Sequence, residues 1–264
     1  MDLGLKGRRA LVTGSTLGIG YAIAETLARE GAKVIINGRS QASVDRAVTR
    51  IRDAVGTADV ASVAADGGTE AGAAAIVAAF PEIDILVNNL GIYEPKRFFE
   101  VEDAEWRHFF EVNVLSGIRF ARAYAPGMKA RGWGRVLFIS SESALAIPPE
   151  MIHYGATKTM QLAVSRGLAM ELGGTGVTVN AVLPGPTRTE GVAEFVAGNA
   201  RQAGTTPEAV ERDFFKILRP NSLLQRFIQP QEVANLAVYL CGTGASATTG
   251  AALRVEGGVV NFVA

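Results

Sequence analysis

The chain has 264 residues, with 26 basic side chains balancing 26 acidic ones and no run of like charge, so neither nucleic acid nor an anionic membrane surface has an electrostatic claim on it as main partner. Its one cysteine, Cys241, excludes an intrachain disulfide and suits a reducing compartment, and the two histidines, His108 and His153, stand too far apart to suggest a metal-ligand cluster. The stretch from Met1 to Lys6 lacks the apolar core of a signal peptide, and no apolar run reaches the ~18 residues of a membrane span, which together predict a soluble cytoplasmic protein.

In chain order, Arg9 to Thr13 is a short apolar run stopping at Gly14, and a helical pattern follows from Ile19 to Glu30, closed by Gly31. Lys33 to Asn37 is a β-branched run ended by Gly38, Arg39 and Ser40. A helix over Ser43–Val55 precedes a third apolar run, Asp59 to Ala64, which stops at Asp66, Gly67 and Gly68. A helix from Glu70 to Phe80 leads into a strand over Ile83–Asn88. Asp103 to Arg131 reads as one long helix, Arg135–Ile139 as a strand, and Ile152 to Leu172 as a helix before the strand Val177–Leu183. Near-continuously apolar strands alternating with helices indicate a parallel sheet covered on both faces. The expectation is one α/β domain over residues 1–264, a Rossmann-type doubly wound parallel sheet of about seven strands.

The segment 186–226 breaks this rhythm, with Gly191, Gly198, Gly204, Pro207 and Pro220 set among Phe195, Phe214, Phe215 and Leu218. A helix over Gln231–Cys241 and a strand over Ala252–Val255 complete the chain before Gly257 and Gly258. An insertion after a strand end of a parallel sheet is positioned to cover a site, which predicts a lid; the other reading is a surface excursion with its own small core.

Thr13-Gly14-Ser15-Thr16-Leu17-Gly18-Ile19-Gly20 joins the first strand to the first helix. Glycines there let the backbone approach a pyrophosphate, and the helix N-terminus offers free N–H groups and a favourable dipole. An acidic residue at the end of the second strand would bind a ribose 2′-OH, but Gly38 stands there. Arg39 beside it suits a 2′-phosphate, with Ser40 as a further donor; this favours NADP(H) and leaves NAD(H) open. Asp66 is placed to accept from an adenine amino group, Asn89 to tie neighbouring strand ends, and Asn113 lies inside a helix, where asparagine wants a reason. Tyr154 and Lys158 fall one turn apart on one helix face. A nearby ammonium favours tyrosinate and lowers a phenol's pKa by roughly 1–3 units. That predicts Tyr154 as proton donor or acceptor. His153 points elsewhere on the helix, toward packing or the pocket rim.

With these residues assembled in order, together with Asn88-Asn89-Leu90-Gly91, Ser141 and Pro184-Gly185, the chain from about Leu5 to Gly258 resembles the short-chain dehydrogenase/reductase family. The resemblance implies a catalytic tetrad of Asn113, Ser141, Tyr154 and Lys158. Tyr154 would exchange the proton of a carbonyl or secondary alcohol, and Ser141 would hold its oxygen. Lys158 would lower the phenol's pKa and bind the nicotinamide ribose, while Asn113 would distort its helix and hold a water leading from Lys158 to solvent. Ser141, thirteen residues before Tyr154, is preferred over the adjacent Ser140. Cofactor contacts are implied for Gly14, Ser15, Thr16, Leu17, Gly18, Ile19, Gly20, Gly38, Arg39, Ser40, Asp66, Gly67, Asn89, Leu90, Gly91, Pro184, Gly185, Thr187 and Thr189. So is a homotetramer or homodimer, with the helices over 103–131 and 152–172 between subunits. Two residues depart from the family pattern: Leu90 replaces the usual alanine, and Gly67 stands where an apolar side chain often packs on adenine. Tyr93, Glu142, Ile147, Met151, Thr187, Phe214 and Phe215 are candidates for the pocket wall or lid, and Arg212, Lys216 and Arg219 leave an anionic substrate open. A catalytically silent NADP(H)-binding regulator is the alternative to an enzyme.

Overall fold

A computed structural model describes residues 2–263. Its strands are β1 (Arg9–Val12), β2 (Lys33–Gly38), β3 (Val60–Ala64), β4 (Ile85–Asn88), β5 (Gly134–Ile139), β6 (Val177–Pro184) and β7 (Ala252–Val255). All pair in parallel in the order β3-β2-β1-β4-β5-β6-β7. The central strands read as unbroken apolar runs because both their faces are covered; every residue of β5 and β6 is buried.

The helices α1 (Gly18–Arg29), α2 (Gln41–Val55) and α9 (Pro230–Cys241) cover one face, through a core that includes Ile23, Leu27, Val44, Ile51, Val233 and Leu240. On the other face lie α3 (Glu70–Ala79), α5 (Ser116–Ala130) and α6 (Ile152–Glu171), whose Ile76, Phe120, Tyr124 and Ala169 meet Leu86, Val136 and Val179. The strand order reverses between β1 and β4, so a crevice opens at the carboxyl ends of these strands. The glycine turn lies there.

Two expectations change. The helix over 103–131 is α4 (Asp103–Phe110) and α5 joined by a π-helical turn, Glu111–Leu115, centred on Asn113. Such a turn shifts the backbone ladder by one residue and frees a carbonyl for another partner. The segment 186–226, which interrupts the strand–helix alternation, itself holds two helices, α7 (Glu190–Ala203) and α8 (Pro207–Ile217). Their stop and start signals are plain in the sequence. Thr189 and Thr206 cap the two helices, Pro207 opens α8, and Gly204 at φ +61° ends α7. The excursion is pinned at its base by a bridge between Thr187 and Ile228, and it carries its own small core of Val196, Phe215 and Phe227.

Candidate active site

The glycine turn is fixed from beneath. Asn37, buried in β2, accepts from the Gly14 N–H (3.2 Å) and donates to the Val63 and Ala65 carbonyls (3.3 and 3.0 Å). Ser15 points inward, donating to the Val12 carbonyl (2.7 Å) and accepting from Asn37 N–H (3.0 Å); its hydroxyl holds the turn rather than facing the crevice. Asn89 donates to the Thr13 and Gly14 carbonyls (3.0 Å each), tying β4 to β1. A Cβ on Gly20 would lie 2.5 Å from the Gly14 carbonyl oxygen, so only glycine fits. Gly14 and Gly18, at φ +61° and +59°, take backbone conformations costly for other residues. Leu17 gives α1 no side-chain cap, so its first N–H groups depend on acceptors from outside the helix, and that of Gly18 is taken by Glu190.

Beyond the turn, a Cβ on Gly38 would meet the Thr16 methyl at 2.5 Å, so Thr16 fills the space that an acidic side chain would need. Arg39 and Ser40 are exposed beside it, and Ser40 caps α2. Leu90 explains the second departure from the pattern. Its two methyls lie 3.0 Å from the Cβ positions of Gly14 and Gly67, so one leucine fills what two side chains would otherwise occupy. Asp66 is exposed, and one carboxylate oxygen accepts from Gly68 N–H (3.0 Å).

At the ends of β5 and α6 the four tetrad positions come together. Ser140 donates to the Lys158 carbonyl (2.9 Å), which takes it out of contention, whereas Ser141 donates to Glu142 Oε2 at 2.5 Å and accepts from Ser143 N–H (3.1 Å). Asn113 accepts from Ile92 N–H (2.8 Å) and donates to the Ile92 carbonyl and to Thr157 Oγ1 (3.0 Å each). Lys158 Nζ donates to the Ile139 carbonyl (2.9 Å) and lies 5.7 Å from the Tyr154 ring centroid. A Cβ on Gly91 would stand 3.2 Å from that ammonium, so the glycine leaves it room. Gln161 Nε2 donates to the Asn113 carbonyl, while Gln161 Oε1 lies 3.5 Å from Lys158 Nζ. A side chain therefore joins the freed carbonyl to the lysine.

The direction expected for the phenol is reversed. Burial pushes the Tyr154 hydroxyl up, with the Glu142 charge and Tyr93 adding to it; its hydrogen bond with Ser141 and the Arg219 charge pull it down. Burial also pulls the Lys158 ammonium down, to about 8, and the Ile139 carbonyl accepts from it. His153 is buried and packs edge-on against Phe109 (4.4 Å between centroids), as its offset on the helix implied.

At the far rim, Thr187 donates to the Gly185 carbonyl (2.8 Å). A Cβ on Gly185 would press on the Glu256 backbone after β7, at 2.6 Å from its carbonyl oxygen, so Pro184-Gly185 ends β6 in a close backbone approach. Thr189 caps α7, and its methyl lies 3.0 Å from where a Gly18 Cβ would stand. The next residue, Glu190, accepts from Gly18 N–H at 2.9 Å, so the excursion rests on the glycine turn. At its other end Arg219 reaches Glu142 (3.5 Å) and Glu150 (3.1 Å). Asn37, Gln161 and Glu190 were not anticipated. A polar residue inside a buried strand flags Asn37, and a polar residue one turn beyond Lys158 flags Gln161, whereas nothing local marks Glu190.

The family model described as Enoyl-(Acyl carrier protein) reductase matches residues 14–260. The uncharacterized oxidoreductase YvaG of Bacillus subtilis is 48% identical over 263 residues, covering 100% of each chain. Its counterpart YvrD from the same organism is also 48% identical, over 98% of this chain and 99% of that one. The crystal structure of L-sorbose reductase from Gluconobacter frateurii, complexed with NADPH and L-sorbose, superposes with a TM-score of 0.93 at 30% identity, over 100% of both chains.

Proposed function

The chain belongs to the short-chain dehydrogenase/reductase family of oxidoreductases, and from that premise we propose that it transfers a hydride between NADP(H) and a small carbonyl or secondary alcohol, with Tyr154 as general acid/base. The observation that carries the reading is the convergence of Ser141, Tyr154, Lys158 and Asn113 beside a glycine turn that tolerates no side chain at Gly20.

The residues suit the cofactor. Gly14 to Gly20 provide a backbone cradle at a helix N-terminus, and the filled space over Gly38 together with the exposed Arg39 favours a 2′-phosphate over a free ribose hydroxyl. When bound, the cofactor supplies or accepts the hydride. Ser141 holds the substrate oxygen, and Tyr154 delivers its proton in reduction or removes it in oxidation. The raised pKa keeps the phenol protonated, which suits the reductive direction. Gln161, which bonds the Asn113 carbonyl and faces Lys158, holds the ammonium in place behind the phenol. Residues 186–226 act as the lid, and the protein works in the cytoplasm as a homotetramer or homodimer.

The test is NADPH and NADH oxidation across a carbonyl panel. NADPH should be oxidised in preference, and Tyr154→Phe should lower turnover about 10²–10⁴-fold while cofactor affinity stays near wild type. A protein that neither binds NADPH nor oxidises it with any carbonyl would overturn the reading.

A further inference from the structure

Glu142 is a buried carboxylate placed against the reacting groups, 5% exposed, immediately after Ser141. Its Oε2 takes the Ser141 hydroxyl at 2.5 Å, and its Oε1 has one long contact, 3.5 Å, to Arg219 of the excursion. Arg219 is held in turn by Glu150 at 3.1 Å. The charges of both Glu142 and Arg219 are felt at the Tyr154 phenol, so the pair faces the place where a substrate oxygen is handled.

A carboxylate offers roughly four acceptor positions, and burying it with several of them unfilled is costly. A structural salt bridge is expected to close more tightly than 3.5 Å, in the forked geometry of an arginine–carboxylate pair. Glu142 thus keeps acceptor capacity at the site. Its hold on the Ser141 hydroxyl has a further effect: that proton points at Glu142, not at the position of a substrate oxygen. A substrate that hands Glu142 a hydroxyl of its own frees the serine proton for its carbonyl oxygen. One that does not must break the Ser141–Glu142 bond with nothing in return.

We propose that Glu142 is a specificity-determining residue that accepts a hydrogen bond from a hydroxyl on the carbon next to the reacting carbonyl, so that the substrates are α-hydroxy ketones or aldehydes and, in reverse, vicinal diols. The geometry suits this class because Glu142 Oε2 is one hydrogen bond from Ser141 Oγ, and the two oxygens of an α-hydroxy carbonyl lie about one hydrogen-bond length apart. A carboxylate next to the carbonyl is disfavoured by repulsion from Glu142. This inference rests on the oxidoreductase reading above and names its substrate class.

The test compares hydroxyacetone with acetone, at saturating NADPH, in wild type and Glu142→Gln. Wild type should favour hydroxyacetone by about 10²-fold or more in kcat/KM, since a site built to pair a hydroxyl rejects the analogue without it. Glu142→Gln should shrink that ratio at least about tenfold while NADPH affinity is kept. A variant that loses activity on both ketones equally, leaving the ratio intact, would show that Glu142 only props up Ser141, and the proposal falls. Methoxyacetone tests it without a variant: the ether cannot donate, so turnover equal to that of hydroxyacetone overturns the proposal even if Glu142→Gln does not fold. Wild type that reduces acetone as well as hydroxyacetone removes this inference alone. Failure with every carbonyl removes the oxidoreductase reading beneath it.

Discussion

The glycine turn and the helical excursion both border the crevice, yet they are held in opposite ways. The turn is locked by buried side chains bonded to backbone: Asn37 to Gly14, Ser15 to Val12, Asn89 to Thr13 and Gly14. The excursion has three buried residues at its own centre and meets the rest through the exposed Glu190 at one end and, at the other, through the largely buried Arg219 and backbone bonds from Leu223 and Leu224 to Gly257. A half-exposed contact such as that of Glu190 contributes about 0–1 kcal/mol, whereas removing a buried backbone partner costs about 1–3 kcal/mol. One side of the crevice is therefore a fixed mould, and the other is attached loosely at Glu190 and more firmly at the largely buried Arg219–Glu142 pair.

Four experiments bear on this contrast. The largest effect is expected for Gly20→Ala, whose methyl would collide with the Gly14 carbonyl and the Asn89 amide; we expect a loss of about 3 kcal/mol in urea denaturation, together with weakened NADPH binding. If that variant were as stable as wild type, the mould would be softer than its bonds suggest.

Next comes the pH dependence of stability. Lys158 has a folded pKa near 8, below its ordinary value of 10.5. The unfolded chain therefore binds more protons at this lysine between these values, and the contribution of Lys158 to stability rises with pH across that window. Between pH 8 and 10 the gain attributable to Lys158 should be on the order of 2 kcal/mol, absent from Lys158→Met, as read from denaturation curves at each pH. Equal slopes in the two proteins would mean that the ammonium is not desolvated.

A smaller effect is expected at the cofactor's adenosine end. Arg39→Ala should weaken NADPH about tenfold by titration while leaving NADH little changed. A parallel loss for both would assign Arg39 to general steering. The smallest is Gly198→Ala in α7, where an added methyl meets nothing within 4 Å. It should stabilise that helix by about 0.5–1 kcal/mol, visible as slower amide exchange in α7 with no change in the sheet. Uniform slowing across the chain would show that the excursion and the sheet open together.

The alternation of strands and helices was legible because each element announces itself locally: apolar runs buried on two faces, glycines at helix ends, a tyrosine and a lysine one turn apart. The helices of the excursion were equally marked by Thr189, Thr206-Pro207 and Gly204, but the glycines and prolines around them were read as disorder in the rhythm. What could not be read locally is who meets whom. Glu190 reaches Gly18 across 172 positions and Gln161 reaches Asn113 across 48. The phenol's pKa was misjudged for the same reason. Sequence spacing placed Lys158 near Tyr154, but not the Ile139 carbonyl that holds the ammonium or the burial that outweighs both charges.

Leu90 has a bearing on how the adenine side of this site can change over generations. Because one of its methyls stands 3.0 Å from where a side chain at 67 would begin, positions 67 and 90 form one unit of variation. A residue larger than glycine at 67 needs Leu90, whose methyl would lie 3.0 Å from the added Cβ, to give way, and presses on Ile76 and Phe120 at 3.3 Å. Shortening Leu90 first leaves a cavity, at a cost of about 2–5 kcal/mol for leucine to alanine in a packed core and less at this partly buried position. The two positions are therefore coupled through packing, and each single change costs stability that the pair of changes recovers in part.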